Sequence, residues 1–211
     1  MSSLSPEKAL IFRITHIANV PWILSNGLHC RRSAMQDPDY VEIGNQDLID
    51  KRTHRVVPIP PGGTLSDYVP FYFTPYSPML YNIKTGRGVA QRAMTDIVII
   101  VSSLPTLTAN GVQFVFTDRH AYLQNATFSN QLGALNDLDW RMWQARDFSR
   151  DPNNPGKFER YNAEALAHQH VPIAAIQGLV CYRTEQEPIL KELVHNSNAA
   201  PTVMSRPGWY L

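Results

Sequence analysis

Hydrophobic and polar positions divide the chain into short strands and helices separated by turns. Residues 9–17 alternate from Ile11 onward, as a strand with one buried face does. Asn19 is placed to cap a helix that has Pro21 in its first turn and carries Trp22, Ile23 and Leu24, and Gly27 after Asn26 stops it. Residues 31–63 are rich in Asp, Asn, Pro and Gly and hold one helical candidate, residues 45–52, before the Pro58-Ile59-Pro60-Pro61-Gly62-Gly63 run. Residues 68–74 are aromatic and β-favouring, and Pro75 ends the ladder for want of an N–H. Ser77 and Pro78 then open a short helix that Gly86 and Gly88 close.

Residues 96–103 form an unbroken apolar run that predicts a central strand, and residues 112–117 predict another after the Asn110-Gly111 turn. Further on, residues 173–178 read as one or two helical turns stopped by glycine, and residues 179–182 as a strand. Residues 185–195 read as a helix with Ile189, Leu190, Leu193 and Val194 on one side, and residues 202–210 as an edge strand that tolerates Pro207. Short strands alternating with turns and small helices indicate an α+β fold, with no repeat and no linker.

The 211 residues suit one domain, residues 1–211, with one sizeable core. No apolar stretch has the length of a membrane span, and the N-terminus lacks the basic-then-apolar pattern of a signal peptide, so a cytoplasmic location is expected and no membrane partner. Cys30 and Cys181 are far apart and outside any metal-ligand spacing; both read as reduced, packed thiols, and no metal is expected. A net charge of +1 excludes a broadly basic nucleic-acid binder, so any nucleic-acid site must be local.

Two stretches carry candidate chemistry. Glu164 opens an apolar run that ends at Val171-Pro172; it reads either as an exposed acid on a half-buried segment or as a buried functional carboxylate. Residues 118–159 interleave arginines with aromatics, which suits phosphate pairing and base stacking on a single strand, or equally an amphipathic helix with Trp140 and Trp143 on one buried face. His16 reads as a strand-end histidine with a structural hydrogen bond or as a ligand contact. No Gly-rich dinucleotide fingerprint is present, so the dehydrogenase manner of holding a dinucleotide is excluded.

The blocks Phe12-Arg13-Ile14-Thr15-His16-Ile17, Lys51-Arg52, Asp67-Tyr68-Val69-Pro70-Phe71-Tyr72-Phe73-Thr74-Pro75, Ser77-Pro78-Met79-Leu80, Gln144-Ala145-Arg146-Asp147-Phe148 and Lys157 to Pro172 resemble the DarT family. These are the toxins of DarTG toxin–antitoxin pairs, single-domain ADP-ribosyltransferases that use NAD to modify a base in single-stranded DNA. The resemblance runs from about His16 to Tyr210, with the blocks in family order. It implies an ADP-ribosyltransferase-like fold, a mixed, largely antiparallel sheet with short helices and a long substrate-recognition segment ahead of the catalytic glutamate. NAD is then a consumed co-substrate and single-stranded DNA the acceptor. A DarG-type macrodomain antitoxin is the implied partner.

By the same resemblance Glu164 and Arg52 are the catalytic residues, with Arg55 a neighbour that residue order alone does not exclude. Cofactor contacts are expected from His16, Asn19, Gly27, Leu28, Tyr72 and Phe73. DNA contacts are expected from His120, Tyr122, Arg146, Arg160 and Tyr161. Thymine is the favoured acceptor, with guanine as the other. Two rivals remain at this level: an RNA-directed transferase similar to the tRNA 2′-phosphotransferases, and a single-stranded nucleic-acid binding module without chemistry.

Overall fold

A computed structural model of the chain describes residues 4–197 and 200–210. The first strand, β1 (Leu10–His16), is followed by α1 (Val20–Asn26), the short β2 (Leu28–His29), α2 (Gln46–Arg52), β3 (Tyr68–Tyr72), α3 (Pro78–Thr85) and β4 (Ile97–Ser103). Then come α4 (Leu104–Ala109), β5 (Phe114–Thr117), β6 (Phe128–Ser129), α5 (Trp140–Ala145) and α6 (Lys157–Arg160). The last elements are β7 (Glu164–His168), β8 (His170–Val171), β9 (Gly178–Cys181), α7 (Glu187–His195) and β10 (Thr202–Ser205).

Eight strands form one sheet in the order β10-β9-β4-β1-β3-β7-β5-β6, and β2 pairs with β8 in a small second sheet. All pairs in the large sheet are antiparallel except β9 with β10. Its two halves are joined unequally. From Leu10 to His16 every residue of β1 pairs with β4, whereas β1 meets β3 through a single register pair, Phe12 with Tyr72. The sheet therefore splits between β1 and β3, and a cleft lies there, lined by strand residues Arg13, Ile14, Pro70, Tyr72 and Glu164 and walled also by α1, α2 and the loop before α2.

The expected one-sided alternation in β1 gives way to burial on both faces, because Ile11, Phe12, Ile14 and Thr15 are all covered. A central strand sandwiched between layers buries both side-chain rows. One cover is the C-terminal tail, whose Trp209 meets Phe12 edge to face at 5.3 Å. The Asn110-Gly111 turn forms, with Gly111 at φ +70°, but it follows a helix and does not join β5 to β4 as a hairpin. Ser103 caps α4 by accepting from the Thr106 amide, Pro105 sits in the first turn, and β5 pairs with β7 and β6 rather than with β4. In α7 Leu190 is buried, but Ile189 is 53% exposed and lies off the buried face.

Opposite the cleft, an aromatic cluster fixes the segment that leads to β7. Phe73 is fully buried, stacks on Trp143 at 5.4 Å and meets Trp140 edge-on at 5.6 Å. The polar tips are satisfied within the same cluster: Trp140 Nε1 donates to the Leu135 carbonyl at 2.7 Å, Trp143 Nε1 to the Arg160 carbonyl at 3.2 Å, and Tyr161 Oη to the Met142 carbonyl at 2.7 Å. Cys30 and Cys181 are buried and free. Among the described residues no helix is long and apolar enough to cross a membrane. Replacing Phe73 by alanine is expected to cost about 3–5 kcal/mol, the range for emptying a fully packed aromatic site. Urea unfolding checks this, and a loss under about 1 kcal/mol would contradict the stacking described.

Candidate active site

The cleft narrows to a cavity of about 350 Å³. Its floor is set by sheet register: β3 pairs with β7 so that Tyr72 lies directly opposite Glu164, and both side chains leave the same face. From the other side comes α2. Asn45 caps it by accepting from the Leu48 amide at 2.9 Å, and Asn45 Nδ2 donates to the Gly88 carbonyl at 2.9 Å, pinning the helix start to the end of α3. Arg52 is the last residue of α2, where a cation is favoured by the helix dipole.

Arg52 and Glu164 meet at the floor, with side chains 12% and 3% exposed. Arg52 Nη1 donates to Glu164 Oε1 at 3.2 Å and lies 2.9 Å from Oε2 as an ion pair without hydrogen-bond geometry. The Ala121 amide donates to Oε1 at 3.3 Å, and His120 Nδ1 lies 3.2 Å from the same oxygen. Glu164's own amide donates to Thr117 Oγ1 at 3.2 Å, which ties the start of β7 to the end of β5. Among the described residues Glu164 Oε2, Arg52 Nη2 and Arg13 Nε are buried without a hydrogen-bond partner. Burial and the Glu164 charge push the Tyr72 phenol well above its ordinary pKa, outweighing Arg52 and Arg13, so it stays neutral.

Arg55, three residues on, faces away. It donates to the carbonyls of Ala121 at 3.4 Å and Leu123 at 2.9 Å and to Gln124 Oε1 at 3.0 Å. It braces the loop that presents His120 and Ala121 to Glu164, and Arg52 alone of the two reaches the carboxylate.

Of the residues expected at the cofactor, Gly27, Leu28 and Tyr72 line the cavity, together with Arg52, Glu164 and His120. Gly27 adopts φ +79°, and a Cβ there would come within 2.4 Å of the Val171 carbonyl oxygen, so the rim requires glycine. Three others, His16, Asn19 and Phe73, are not among the residues that line this cavity. His16 Nδ1 accepts from the Ala18 amide at 3.1 Å and caps the short turn that follows β1. Asn19 is buried and does not cap α1; it donates to Thr15 Oγ1 and the Val41 carbonyl and accepts from the Val41 amide at 2.8 Å, holding the loop that walls the cavity. Phe73, one residue past Tyr72, points into the aromatic cluster.

The residues expected on DNA divide similarly. His120 turns inward to Glu164, and Tyr122 is half-buried against a small second cluster containing Tyr68 and Leu166. Arg146 lies 3.5 Å over the Tyr76 ring and donates to the Gly208 carbonyl. Arg160 donates to Asn154 Oδ1 at 2.8 Å and pairs with Asp139. Tyr161 is 1% exposed. Arg146, which is exposed, Arg160, which is partly exposed, and the buried Tyr161 each also bond within the protein. Cavity residues not singled out from sequence include Arg13, His29, Tyr40, Glu42 and Met79. Arg13, a charged residue in the middle of an apolar strand, carried a signal that could have found it; the loop residues carried none.

A split, mostly antiparallel sheet whose cleft is floored by a buried carboxylate on an arginine, with a braced segment ahead of that carboxylate, defines the ADP-ribosyltransferase class. A family model described as "ssDNA thymidine ADP-ribosyltransferase, DarT" matches residues 12–211, and the chain belongs to this family. A DNA ADP-ribosyl transferase of Escherichia coli O127:H6 (strain E2348/69 / EPEC) is 51% identical over 210 residues, covering 99% of this chain and 96% of the relative. Among solved structures, Thermus sp. 2.9 DarT in complex with ADP-ribosylated ssDNA superposes with a TM-score of 0.88 at 34% identity, over 98% of each chain. The same Thermus protein in complex with NAD+ gives a TM-score of 0.83 at 34% identity, covering 98% of this chain and 99% of that one.

The contrast between the two arginines is testable. Arg55→Ala is expected to lower stability by about 1 kcal/mol through the part-buried carbonyls it leaves unpaired and to speed amide hydrogen exchange across residues 121–124. Unchanged exchange in that loop would remove its role as a brace.

Proposed function

We propose that this chain transfers ADP-ribose from NAD to a thymine base in single-stranded DNA, as one transferase domain spanning residues 1–211. The observation that carries the proposal is the Glu164 carboxylate buried on Arg52 at the cavity floor, with Oε2 free of any hydrogen bond. A cavity of about 350 Å³ is within the roughly 300–1,000 Å³ range of small-molecule sites. Its unpaired buried donors on Arg52 and Arg13 and its unpaired acceptor on Glu164 suit a ligand bearing both anionic groups and hydroxyls.

Nicotinamide leaves NAD as a neutral molecule, so its departure needs no general acid. Positive charge develops instead on the ribose, as at a glycosidase centre, and a carboxylate beside it stabilises that charge. Glu164 supplies this carboxylate, and its free Oε2 can accept from a ribose hydroxyl. Thymine N3 is protonated at neutral pH, so its attack on the ribose carbon requires a base to take the proton and a cation to balance charge spreading onto the ring oxygens. Glu164 is the base and Arg52 the cation, its planar guanidinium offering Nη2 as a second donor. Gly27, Leu28 and Tyr72 form the wall on which NAD rests.

The base must be unstacked to reach a floor this deep, which favours single-stranded DNA. Arg146, Arg160 and Tyr161 act on acceptor choice through the shape of the segment they hold. A cytoplasmic location and a DarG-type macrodomain antitoxin that removes the ADP-ribose belong to the same reading.

The test is the intact mass of a mixed-sequence single-stranded oligonucleotide incubated with the protein and NAD. A gain of one ADP-ribose, with fragmentation placing it on thymine, is expected from wild type. Arg52→Ala and Glu164→Ala should each lose at least about a hundredfold in rate. Unmodified DNA, with nicotinamide released in the presence of RNA or protein instead, would overturn the DNA acceptor; modification on guanine would overturn the base.

A further inference from the structure

Two histidines meet behind the wall that Gly27 and Leu28 form. In the small second sheet His29 of β2 lies directly opposite His170 of β8, and their rings face each other with centroids 4.3 Å apart and planes tilted by 33°. Each ring brings its Nε2 to 3.0 Å from a single acceptor, the Asn26 carbonyl oxygen. Asn26 ends α1, so this oxygen has no partner within the helix. A carbonyl only accepts, so both rings carry a proton on Nε2 and together fill the oxygen's two lone pairs. The residue that follows is Gly27.

The clamp is tight at that point. A Cβ added to Gly27 would come within 2.6 Å of His170 Nε2, and the register pair of Leu28 with Val171 continues the same two strands. Gly27, Leu28 and His29 line the cavity, and His170 stands behind them. As a neutral ring His29 is satisfied, with Nε2 donating to Asn26 and Nδ1 placed 3.1 Å from the Ser33 hydroxyl. Charge on both rings is different, because it would set two cations 4.3 Å apart at a half-buried place. Nothing anionic offsets them. Among the described residues no carboxylate pairs with either ring: α1 offers Trp22 and Asn26, the turn after β2 has Arg31 and an Arg32 already paired with Asp67, and β7 brings His168, which lies against Tyr68. The cavity loop's Asp37 and Glu42 accept from amides of their own loop.

We propose that His29 and His170 position the Gly27 and Leu28 wall for NAD only while they do not both carry charge, so that NAD is held less tightly as the medium acidifies. This rests on the reading of that wall as the one on which NAD rests. An opened wall takes a proton on each ring, whereas the closed clamp resists the second, so acid favours opening. Burial already holds His29 below its ordinary pKa; the bond to Asn26 opposes this, and the His170 charge adds to it. A histidine lowered in this way stabilises the closed wall above its ordinary pKa and gives that stability up as pH falls. His170 acts through Asn26 and Gly27 and is a positioning residue.

The experiment is titration calorimetry of NAD into the full chain, without DNA, between about pH 8 and pH 5. Wild type is expected to lose roughly tenfold in affinity across that range. His170→Gln keeps an N–H for the Asn26 carbonyl but does not titrate, so it should match wild type at about pH 8 and lose no more than about threefold by pH 5. His170→Phe keeps a ring without a donor and should bind NAD roughly fivefold more weakly than wild type at about pH 8. Affinities of wild type and His170→Gln that fall in parallel, or a His170→Phe that binds as wild type does, would overturn the clamp. Wild type that fails to bind NAD at any pH would instead sink the reading of the wall beneath it.

Discussion

Everything at the site depends on keeping an ionised carboxylate out of water. An isolated buried charge costs several kcal/mol, and a partner of opposite sign makes the burial tolerable only with good geometry and further hydrogen bonds. Arg52 lies 112 residues before Glu164 in the chain, so no local structure brings them together. The β3–β7 register fixes Glu164 opposite Tyr72, the Asn45 cap and its bond to Gly88 fix α2, and Arg55 holds the loop that gives Glu164 its amide donor. The pair remains incompletely satisfied, and its free donor and acceptor are where a substrate gains most by binding.

The segment between β5 and β7 shows a second economy. Its arginines and aromatics suggested a nucleic-acid surface, yet Trp140, Trp143 and Tyr161 pack inward, and Arg146 and Arg160 hold backbone and side chains of the protein itself. Charged side chains bonded to carbonyls and carboxylates stiffen the segment. His120 belongs to the same frame, fixed by Glu159 behind and offered to Glu164 in front.

Much of the fold was legible where local chemistry punctuates it. Asn45 ahead of α2, Ser77-Pro78 opening α3, Gly27 ending α1 and the edge strand β10 all stand where their residues place them. Misreadings arose where one residue has two uses. Asn19 looked like a cap and instead bridges β1 to the cavity loop; Ser103 looked like a strand end and also starts α4. Phe73, expected at the cofactor, packs on Trp143, because the sequence does not reveal where the strand's alternation ends. The split between β1 and β3 is set by a single register pair and has no local signature. Resemblance named Arg52 and Glu164, and geometry separated Arg52 from Arg55.

The most direct measurement on the central pair is a double-mutant cycle on unfolding free energy with Arg52→Gln, Glu164→Gln and the double variant. Each single change strands one buried charge, so each should be strongly destabilising, while the double variant should recover most of the loss. A coupling energy of about 2 kcal/mol or more is predicted. Single-variant losses that simply add would mean that Arg52 and Glu164 do not depend on one another, and the site would have to be rebuilt around a different partner.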